Sequence, residues 1–242
     1  MTNNPTTCPV VELKDITVNY GFYRAIDSVS FNLLPGMALG LIGANGAGKT
    51  TSIRAILGML KIKKGQVTLF GESRCTSKTF HRIGFAPEEA TPPEYLNARE
   101  YLTFLSKLKK QDISEMKRQV EDFLTWFDLD PNKPVRKYSK GMRRRLVLAQ
   151  AFVGRPELII LDEPLNGLDP LMIQKLRTKL VEYRQKGASI IYSSHILSEL
   201  ETTCSDVVMM HKGKVVLRES IPNLIQKYGS VEKAFSSNVG GN

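Results

Sequence analysis

The residues from Gly43 to Thr50 have the types and the spacing of a loop that binds phosphate groups. Their sequence, GANGAGKT, fits the pattern G-x-x-x-x-G-K-[ST], in which glycines let backbone N–H groups approach an anion closely. We expect Lys49 to bridge the β- and γ-phosphates of a nucleoside triphosphate and the Thr50 hydroxyl to bind Mg²⁺. A glycine-rich turn without a ligand would not explain why Lys and Thr stand together at a helix start. The predicted binding residues are Gly43, Asn45, Gly46, Ala47, Gly48, Lys49, Thr50 and Thr51.

Two acidic residues end an apolar run further along the chain, Leu158–Pro164, with the sequence LIILDEP. A buried strand does not end in adjacent carboxylates without a reason, because removing them from water is costly. We expect Asp162 to bind Mg²⁺ or its waters beside Thr50. Glu163 is then free to act as general base or to orient the attacking water. The alternative is a strand end whose acids cap the next turn, which the phosphate loop upstream makes the weaker interpretation.

A second candidate for phosphate contact is a helix start at Ser139. The segment Tyr138–Met142, YSKGM, precedes three consecutive arginines, Arg143–Arg145. Small residues at a helix N-terminus suit an anion. Because the chain already has one phosphate loop, the second helix start suggests contact with a nucleotide held elsewhere, for instance on a second copy. Taken alone the motif is weak, since Ser is a common N-cap.

The elements that must position these residues alternate between strands and helices. Short apolar strands lead into the first two motifs, at Met37–Ile42 and Leu158–Leu161. The alternation indicates a parallel sheet covered by helices on both faces. Five stretches have apolar residues at helical spacing: Thr51–Leu60, one beginning after Asn97, one beginning at Asp112 or Ser114, Gly141–Phe152, and one that begins after Asp169 and stops at Gly187.

The composition is that of one globular α/β domain. The chain has 242 residues, of which 42% are hydrophobic and 24% charged, so disorder is not expected. Its net charge of +10 favours anionic partners but does not choose among nucleotides, lipid headgroups and nucleic acid. Cys8, Cys75 and Cys204 lack metal-ligand spacing, which predicts free thiols in a reducing compartment. Neither a signal peptide nor a membrane-spanning stretch is expected.

With the three motifs in this order, the chain resembles the ABC ATPase family over nearly its whole length. The resemblance implies a single α/β domain at 1–242. It would have a P-loop NTPase core with a parallel sheet at about 10–90 and 150–220, including an N-terminal antiparallel β subdomain. A helical subdomain is inserted at about 91–149, and a C-terminal tail follows at about 221–242.

In that family the signature loop of a second subunit closes over the γ-phosphate. The resemblance therefore implies contacts in trans from Ser139, Lys140, Gly141 and Met142. Lys140 and Met142 depart from the commoner LSGGQ form, and the sequence looks like the LSKGM form of exporter-type members. Ser139 and Gly141, the main phosphate contacts, are retained, so activity is still expected.

The resemblance also implies contacts at the adenine and Mg²⁺ ends of the nucleotide. Tyr20 matches the aromatic residue that stacks on adenine, with Phe22 and Tyr23 as alternatives and a core position as another. Glu88 stands where a glutamine near Mg²⁺ is usual, which alters the charge there. The implied metal site therefore consists of Thr50, Asp162 and Glu88.

Two further positions match the family. Asp169 matches a residue at the dimer interface, and it is also a candidate N-cap for the helix that follows. His195 matches the switch histidine that contacts the γ-phosphate. A lone histidine is usually structural, but this one follows the strand after the acidic one, where ligands bind in α/β sheets. Glu163 and His195 are therefore the expected catalytic residues.

The implied function is ATP hydrolysis, with ATP and Mg²⁺, by the ATPase subunit of an ABC transporter. The signature, Glu88 and the segment Thr91–Leu102 favour an exporter with a separate integral membrane permease, which Ala90–Leu96 would contact. Two copies should sandwich two ATP molecules head to tail at the cytoplasmic face of the cell membrane. No nucleic acid partner is expected.

Two alternatives stay open from the sequence. A soluble ABC-type ATPase could act on nucleic acid or ribosomes, which the basic charge permits. Such proteins generally carry two ATPase cassettes or a long coiled-coil insertion, and this sequence has neither. A nucleotide-binding regulator without turnover is the other alternative, and the presence of Glu163 and His195 argues against it.

Overall fold

The computed structural model describes residues 8–73 and 76–239, whose strands form two sheets. The first sheet is antiparallel and has three strands. Their spatial order is the second strand of the chain, then the first, then the fourth. The other has six strands, in the order fifth, sixth, seventh, third, eighth, ninth, and its neighbours are parallel except for the last pair. The strands are β1 (Val11–Tyr20), β2 (Tyr23–Leu33), β3 (Ala38–Ile42), β4 (Lys64–Leu69), β5 (Ile83–Ala86), β6 (Leu158–Leu161), β7 (Ser189–Ser194), β8 (Asp206–His211) and β9 (Lys214–Ser220).

Helices connect the strands of the larger sheet, and this arrangement confirms the predicted α/β fold with an antiparallel sheet near the N-terminus. Three of the helices lie between β5 and β6, within the expected helical subdomain. The helices are α1 (Lys49–Ile56), α2 (Ser77–His81), α3 (Ala98–Leu108), α4 (Ile113–Trp126), α5 (Lys140–Gln150), α6 (Pro170–Gln185), α7 (Leu197–Thr203), α8 (Ile221–Tyr228) and α9 (Val231–Val239).

The centre of the larger sheet consists of strands in which every residue is buried. β3 (ALGLI), β6 (LIIL) and β7 (SIIYSS) are buried along their whole length, as expected for parallel strands covered on both faces. Leu161 pairs with Tyr192, and Ile42 pairs with Ser194. The carboxyl ends of these three strands therefore meet at one edge, which brings the phosphate loop, the acidic pair and His195 together.

Side chains at the N-cap positions determine where α3 and α4 begin. The side chain of Asn97 accepts a hydrogen bond from the Glu100 N–H, and the Glu100 carboxylate accepts one from the Asn97 N–H, which forms a capping box. The Asp112 side chain accepts from the N–H groups of Ser114 and Glu115, so Asp112, and not Ser114, is the cap of α4. Both helices were predicted from sequence, and both form.

The helix after the phosphate loop is shorter than its apolar pattern predicts. It begins at Lys49 and ends at Ile56, whereas the spacing predicts Thr51–Leu60. The chain leaves the helix because Gly58 has φ +68°, a left-handed conformation that suits glycine. The early start matters for the site, because it places Lys49 in the first turn.

An aromatic stack joins the helical subdomain to the rest of the core. Phe123 packs edge-on against Phe127, whose ring lies 5.9 Å from that of Phe152. Phe152 packs in turn against Tyr183 of α6, with ring centroids 5.0 Å apart. The two parts therefore share one hydrophobic core, in which these four side chains are all buried.

The segment set apart as a tail at 221–242 folds over its described part into α8 and α9. Their apolar faces are buried in the main core, through Ile221, Leu224, Val231 and Ala234. In the ranges that the structure describes, no helix combines the length and the apolar composition needed to cross a membrane. Cys8 and Cys204 are free thiols, and Cys75 lies outside the described residues.

Candidate active site

The phosphate loop is a tight turn between β3 and α1 that its glycines make possible. Gly46 has φ +79° and Gly48 has φ +105°, in the region where side chains with a Cβ are strained. A Cβ on Gly43 would lie 2.6 Å from the Met210 carbonyl oxygen, which is too close. The backbone therefore forms the concave turn that leads into the N-terminus of α1, as an anion site requires.

Lys49 is buried at the start of α1, with 6% of its surface exposed. Its Nζ donates a hydrogen bond of 2.7 Å to the Gly43 carbonyl oxygen and lies 3.1 Å from Glu163 Oε1. The second contact is an ion pair that lacks hydrogen-bond geometry. Glu163 Oε1 is buried, and it accepts no hydrogen bond within the described residues. The loop and the acidic segment are thus joined through one charged pair.

The acidic segment after β6 is fixed by Ser193 of β7, which the sequence analysis did not single out. Ser193 Oγ donates a 2.6 Å hydrogen bond to Asp162 Oδ1 and accepts one of 2.9 Å from the Glu163 N–H. Both acids are buried, and Glu163 has φ +45°, an uncommon conformation for a residue other than glycine. Strain of this kind persists where the surroundings fix it, which is frequent at active sites. The signal for Ser193 was its position at the end of the strand next to β6.

Glu163 and His195, the two expected catalytic residues, are in contact. His195 Nδ1 lies 2.8 Å from Glu163 Oε2, and the His195 side chain is about half exposed, at 47%. Glu163 Oε1 is the buried oxygen without a hydrogen bond, and Glu163 lines the same cavity as the phosphate loop. One carboxylate oxygen is thus held by a histidine and the other is paired with Lys49, so the carboxylate can orient a water molecule towards a phosphate once Lys49 binds that phosphate.

The residues expected at the metal can provide oxygen ligands. Thr50 and Glu88 both line the cavity, and Asp162 lies on the adjoining buried segment. Glu88 Oε1 also accepts a 3.2 Å hydrogen bond from Asn166 Nδ2. Within residues 8–73 and 76–239, no group of three or more His, Cys, Asp or Glu could hold a metal by itself. The set fits Mg²⁺, which is commonly bound by one or two carboxylates together with substrate phosphates.

The cavity at the phosphate loop has a volume of about 310 Å³. Two tyrosines line it, Tyr20 at the end of β1 and Tyr23 at the start of β2, and they face each other across the hairpin. Both are exposed, as an aromatic residue that stacks on a base must be before binding. Phe22 between them is fully exposed and is not in the lining. Tyr20 stays the predicted adenine contact, with Tyr23 as its structural alternative.

The signature residues lie at a helix start outside this cavity, where Ser139 and Lys140 are exposed and Gly141 and Met142 are half-buried. Ser139 is the N-cap of α5, and its Oγ accepts a 3.2 Å hydrogen bond from the Met142 N–H. None of the four residues from Ser139 to Met142 lines the cavity. A Cβ on Gly141 would approach the Gly167 carbonyl oxygen to 3.4 Å, so this loop lies beside the one that leads into α6. Asp169 is the exposed N-cap of α6, and its carboxylate accepts from the Met172 N–H at 2.9 Å.

Arg144 is the second residue at the site that the sequence analysis missed. It lies on α5 and is 7% exposed, while its neighbours Arg143 and Arg145 lie towards the surface. Burial lowers the pKa of its guanidinium, and nearby carboxylates, Glu88 first, act in the opposite direction. The available signal was helical periodicity, because residue 144 falls on the same face as the buried Leu148.

Comparison with known proteins places this geometry in a family. Residues 26–166 match the model of the family described as ABC transporter. The chain is 37% identical over 220 residues to the bacitracin transport ATP-binding protein BcrA of Bacillus licheniformis, with 88% of this chain and 70% of that protein covered. It is 32% identical over 230 residues to the ABC-type transporter ATP-binding protein EcsA of Bacillus subtilis, with 93% of each covered. A solved ATP-binding subunit of an ABC transporter superposes with a TM-score of 0.88 and 29% identity, covering 94% of this chain and 98% of that one.

Proposed function

The chain belongs to the ABC transporter family as an ATP-binding, ATP-hydrolysing subunit, and we propose that it drives an exporter through ATP-dependent head-to-tail dimerisation. The family resemblance that the motifs indicated is thereby confirmed. What the proposal adds is the direction of transport, the separate permease, the dimer and the roles of individual residues.

The observation that carries the dimer is the separation of two phosphate-binding features within one chain. The loop at 43–50 lines the cavity with Glu163, whereas Ser139 is the exposed N-cap of a helix outside it. A helix N-terminus attracts anions through its free N–H groups and its dipole. The signature helix of one copy can therefore reach the nucleotide held in the cavity of another, and the exposed Asp169 beside it would belong to the same interface.

The proposed chemistry assigns one task to each side chain. The phosphate loop and Lys49 bind the β- and γ-phosphates, and Glu163 accepts a proton from the attacking water while His195 holds its other carboxylate oxygen. Mg²⁺, when bound through Thr50, Asp162 and Glu88, would supply electrostatic stabilisation of the phosphate charge. Because Glu163 and the loop line one cavity, nucleophile and phosphate would be held in a fixed geometry.

The proposed permease contact is the segment from Glu88 to Leu96, which leads from the site to the helical subdomain. Glu88 contacts Asn166 beside the acidic segment, and Tyr95 at the other end is 77% exposed. The segment is also tied to the residues just before the signature, because the Val135 N–H donates to the Leu96 carbonyl at 2.9 Å. A membrane partner bound here would therefore be in contact with both ends of the catalytic machinery. The name of the bacitracin transport relative supports a transport role.

The dimer is tested by size-exclusion chromatography of Glu163→Gln with Mg-ATP. The amide is a far weaker base, so unhydrolysed ATP should hold two chains together. Ser139→Glu in the same background should prevent the dimer, because a carboxylate would face the γ-phosphate, while ATP binding by the monomer is unchanged. The matched control is Ser114→Glu, at the start of α4 and away from the site. A dimer that persists with Ser139→Glu would exclude the proposed contact in trans.

Direction is tested in inside-out membrane vesicles that contain the chain and its permease. We expect ATP-dependent accumulation of an antimicrobial peptide from a panel that begins with bacitracin, and no accumulation with Lys49→Ala. ATP-dependent loss of a preloaded peptide from the same vesicles would show import and contradict the proposal.

A further inference from the structure

Arg144 is a buried cation whose hydrogen-bonding groups all meet main-chain carbonyls. Its guanidinium has five N–H donors, and a buried charge is costly unless such donors are satisfied. Nε donates to the Pro164 carbonyl at 3.3 Å. One terminal nitrogen donates to the carbonyls of Pro87 at 2.5 Å and Glu88 at 3.0 Å. The other terminal nitrogen donates to the carbonyls of Asp162 at 3.0 Å and Glu163 at 2.7 Å.

These five carbonyls lie on the two segments that hold the site's acids. One segment follows β5 and contains Glu88, and the other follows β6 and contains Asp162 and Glu163. Arg144 therefore joins both segments to α5. Among the residues that the structure describes, no carboxylate accepts from it, so the charges of the acids stay available for the nucleotide and Mg²⁺.

The strongest effect falls on Glu163. Its carbonyl accepts from Arg144 at 2.7 Å, and its N–H donates to Ser193 at 2.9 Å, so the peptide groups before and after this residue are both held. With φ +45°, the residue needs such support to keep its conformation. A shift of α5 would move the Arg144 guanidinium and with it the aim of the Glu163 carboxylate.

The signature lies at the N-terminal end of α5. Ser139 caps this helix, and Arg144 lies five residues further on, about 7.5 Å along the axis at 1.5 Å per residue. Over that distance a helix moves as a rigid element. Contact between Ser139 and a nucleotide on a second copy would therefore act directly on Arg144.

We propose that Arg144 is a positioning residue that couples the nucleotide bound by a second copy to the hydrolytic centre of its own chain. The inference rests on the proposed head-to-tail dimer. It predicts that ATP hydrolysis is cooperative in ATP and that the cooperativity depends on the guanidinium. It also predicts that Arg144 affects turnover and not nucleotide binding by the single chain.

The test compares Arg144→Gln with Arg145→Gln, which removes an arginine from the same helix. Arg145, whose side chain is 17% exposed, pairs with the exposed Asp128 and makes no hydrogen bond to the acidic segments among the described residues. For Arg144→Gln we expect kcat to fall by roughly 100-fold, the usual effect of a misplacement of about 1 Å. The Hill coefficient should fall to about 1, with the ADP dissociation constant within about twofold of wild type. Arg145→Gln should retain the wild-type values.

A variant that only damaged the fold would lower the fraction of chains that bind ADP and reduce activity in proportion, with the Hill coefficient unchanged, and that result would overturn the inference. Arg144→Lys provides a second variant if Arg144→Gln does not fold. It keeps the charge and has three donors in place of a planar fork, so cooperativity should again be lost. Wild-type cooperativity in a folded Arg144→Lys would also overturn the inference.

The dimer is checked separately in the Glu163→Gln background. If Glu163→Gln alone forms no dimer with Mg-ATP, the proposed function has failed. If it dimerises, and Arg144→Gln in otherwise wild-type protein leaves both kcat and the Hill coefficient unchanged, the dimer stands and the role of Arg144 is wrong.

Discussion

Lys49 and Glu163 are each about 6% exposed at the side chain, with their charged atoms 3.1 Å apart. Removing two charges from water is costly, and each charge here reduces that cost for the other. In the mechanism that we propose, a nucleotide phosphate competes with Glu163 for Lys49, and the carboxylate is released towards water when Lys49 turns to the phosphates. At the scale of single residues, binding of the substrate and release of the base would therefore involve the same ion pair.

Replacing Lys49 with alanine should abolish tight nucleotide binding while the fold is kept. The substitution removes the cation that meets the phosphates and leaves Glu163 without its charged partner. We expect ADP and ATP affinity to fall by at least about 100-fold, as when one partner of a buried charge pair is truncated. Isothermal titration calorimetry measures this, with circular dichroism as the check on folding and the exposed Lys64→Ala as control. Near-normal affinity in folded Lys49→Ala would contradict the phosphate-loop assignment.

Replacing Glu163 with glutamine should separate binding from hydrolysis. Hydrolysis should fall by roughly two to four orders of magnitude, the usual contribution of a general base. ADP should bind about 2- to 10-fold more tightly, because Lys49 no longer has an anionic competitor. His195→Ala is the informative control, since it leaves the contact between Lys49 and Glu163 in place and should not tighten ADP. Weaker ADP binding by Glu163→Gln would show that the ion pair does not compete with phosphate.

The elements that build the site differ in how far the sequence predicts them. Strand-then-loop patterns before Gly43 and before Asp162 are local, and parallel strands end at one edge, so the meeting of the first two motifs followed from the sequence. The burial of Arg144 was not predicted, because Arg143 and Arg145 beside it have the same chemistry and only its place on the buried face of the helix distinguishes it. Ser193 was missed for a related reason, since its partners, the acids after β6, lie on another strand.

The packing of β5 against the end of α5 gives a prediction at this scale. A Cβ on Gly84 would lie 1.7 Å from the Ala151 carbonyl oxygen, so the strand and the chain after the helix must separate to admit it. Gly84→Ala should lower the free energy of unfolding by about 1–3 kcal/mol or more, and it should reduce ATPase activity because β5 leads to Glu88. Chemical denaturation with an activity assay measures both effects. An unchanged midpoint would mean that the two elements are not in tight contact.

At the scale of the whole molecule, the helical subdomain is attached through contacts that also define the site. The aromatic stack from Phe123 to Tyr183 joins it to α6, and Arg144 joins α5 to both acidic segments. The segment from Glu88 to Leu96 is one of the two covalent connections between the two parts, and the other lies between α5 and β6. A partner that binds this segment is therefore placed to sense whether nucleotide is bound, and this is why we propose it as the permease contact.

The exposed Tyr95 tests that contact. Tyr95→Asp should remove the chain from membranes that contain its permease, because a charge would replace an aromatic side chain that is 77% exposed. ATP binding should be unchanged, since Tyr95 does not line the nucleotide cavity. Flotation of the chain with permease-containing vesicles measures the effect, with ADP titration of the same samples. The control is Ile225→Asp on α8, another exposed apolar residue at 42%, which should float like wild type. Normal flotation of Tyr95→Asp would place the permease contact elsewhere, and loss of flotation in both variants would show a general effect of added charge.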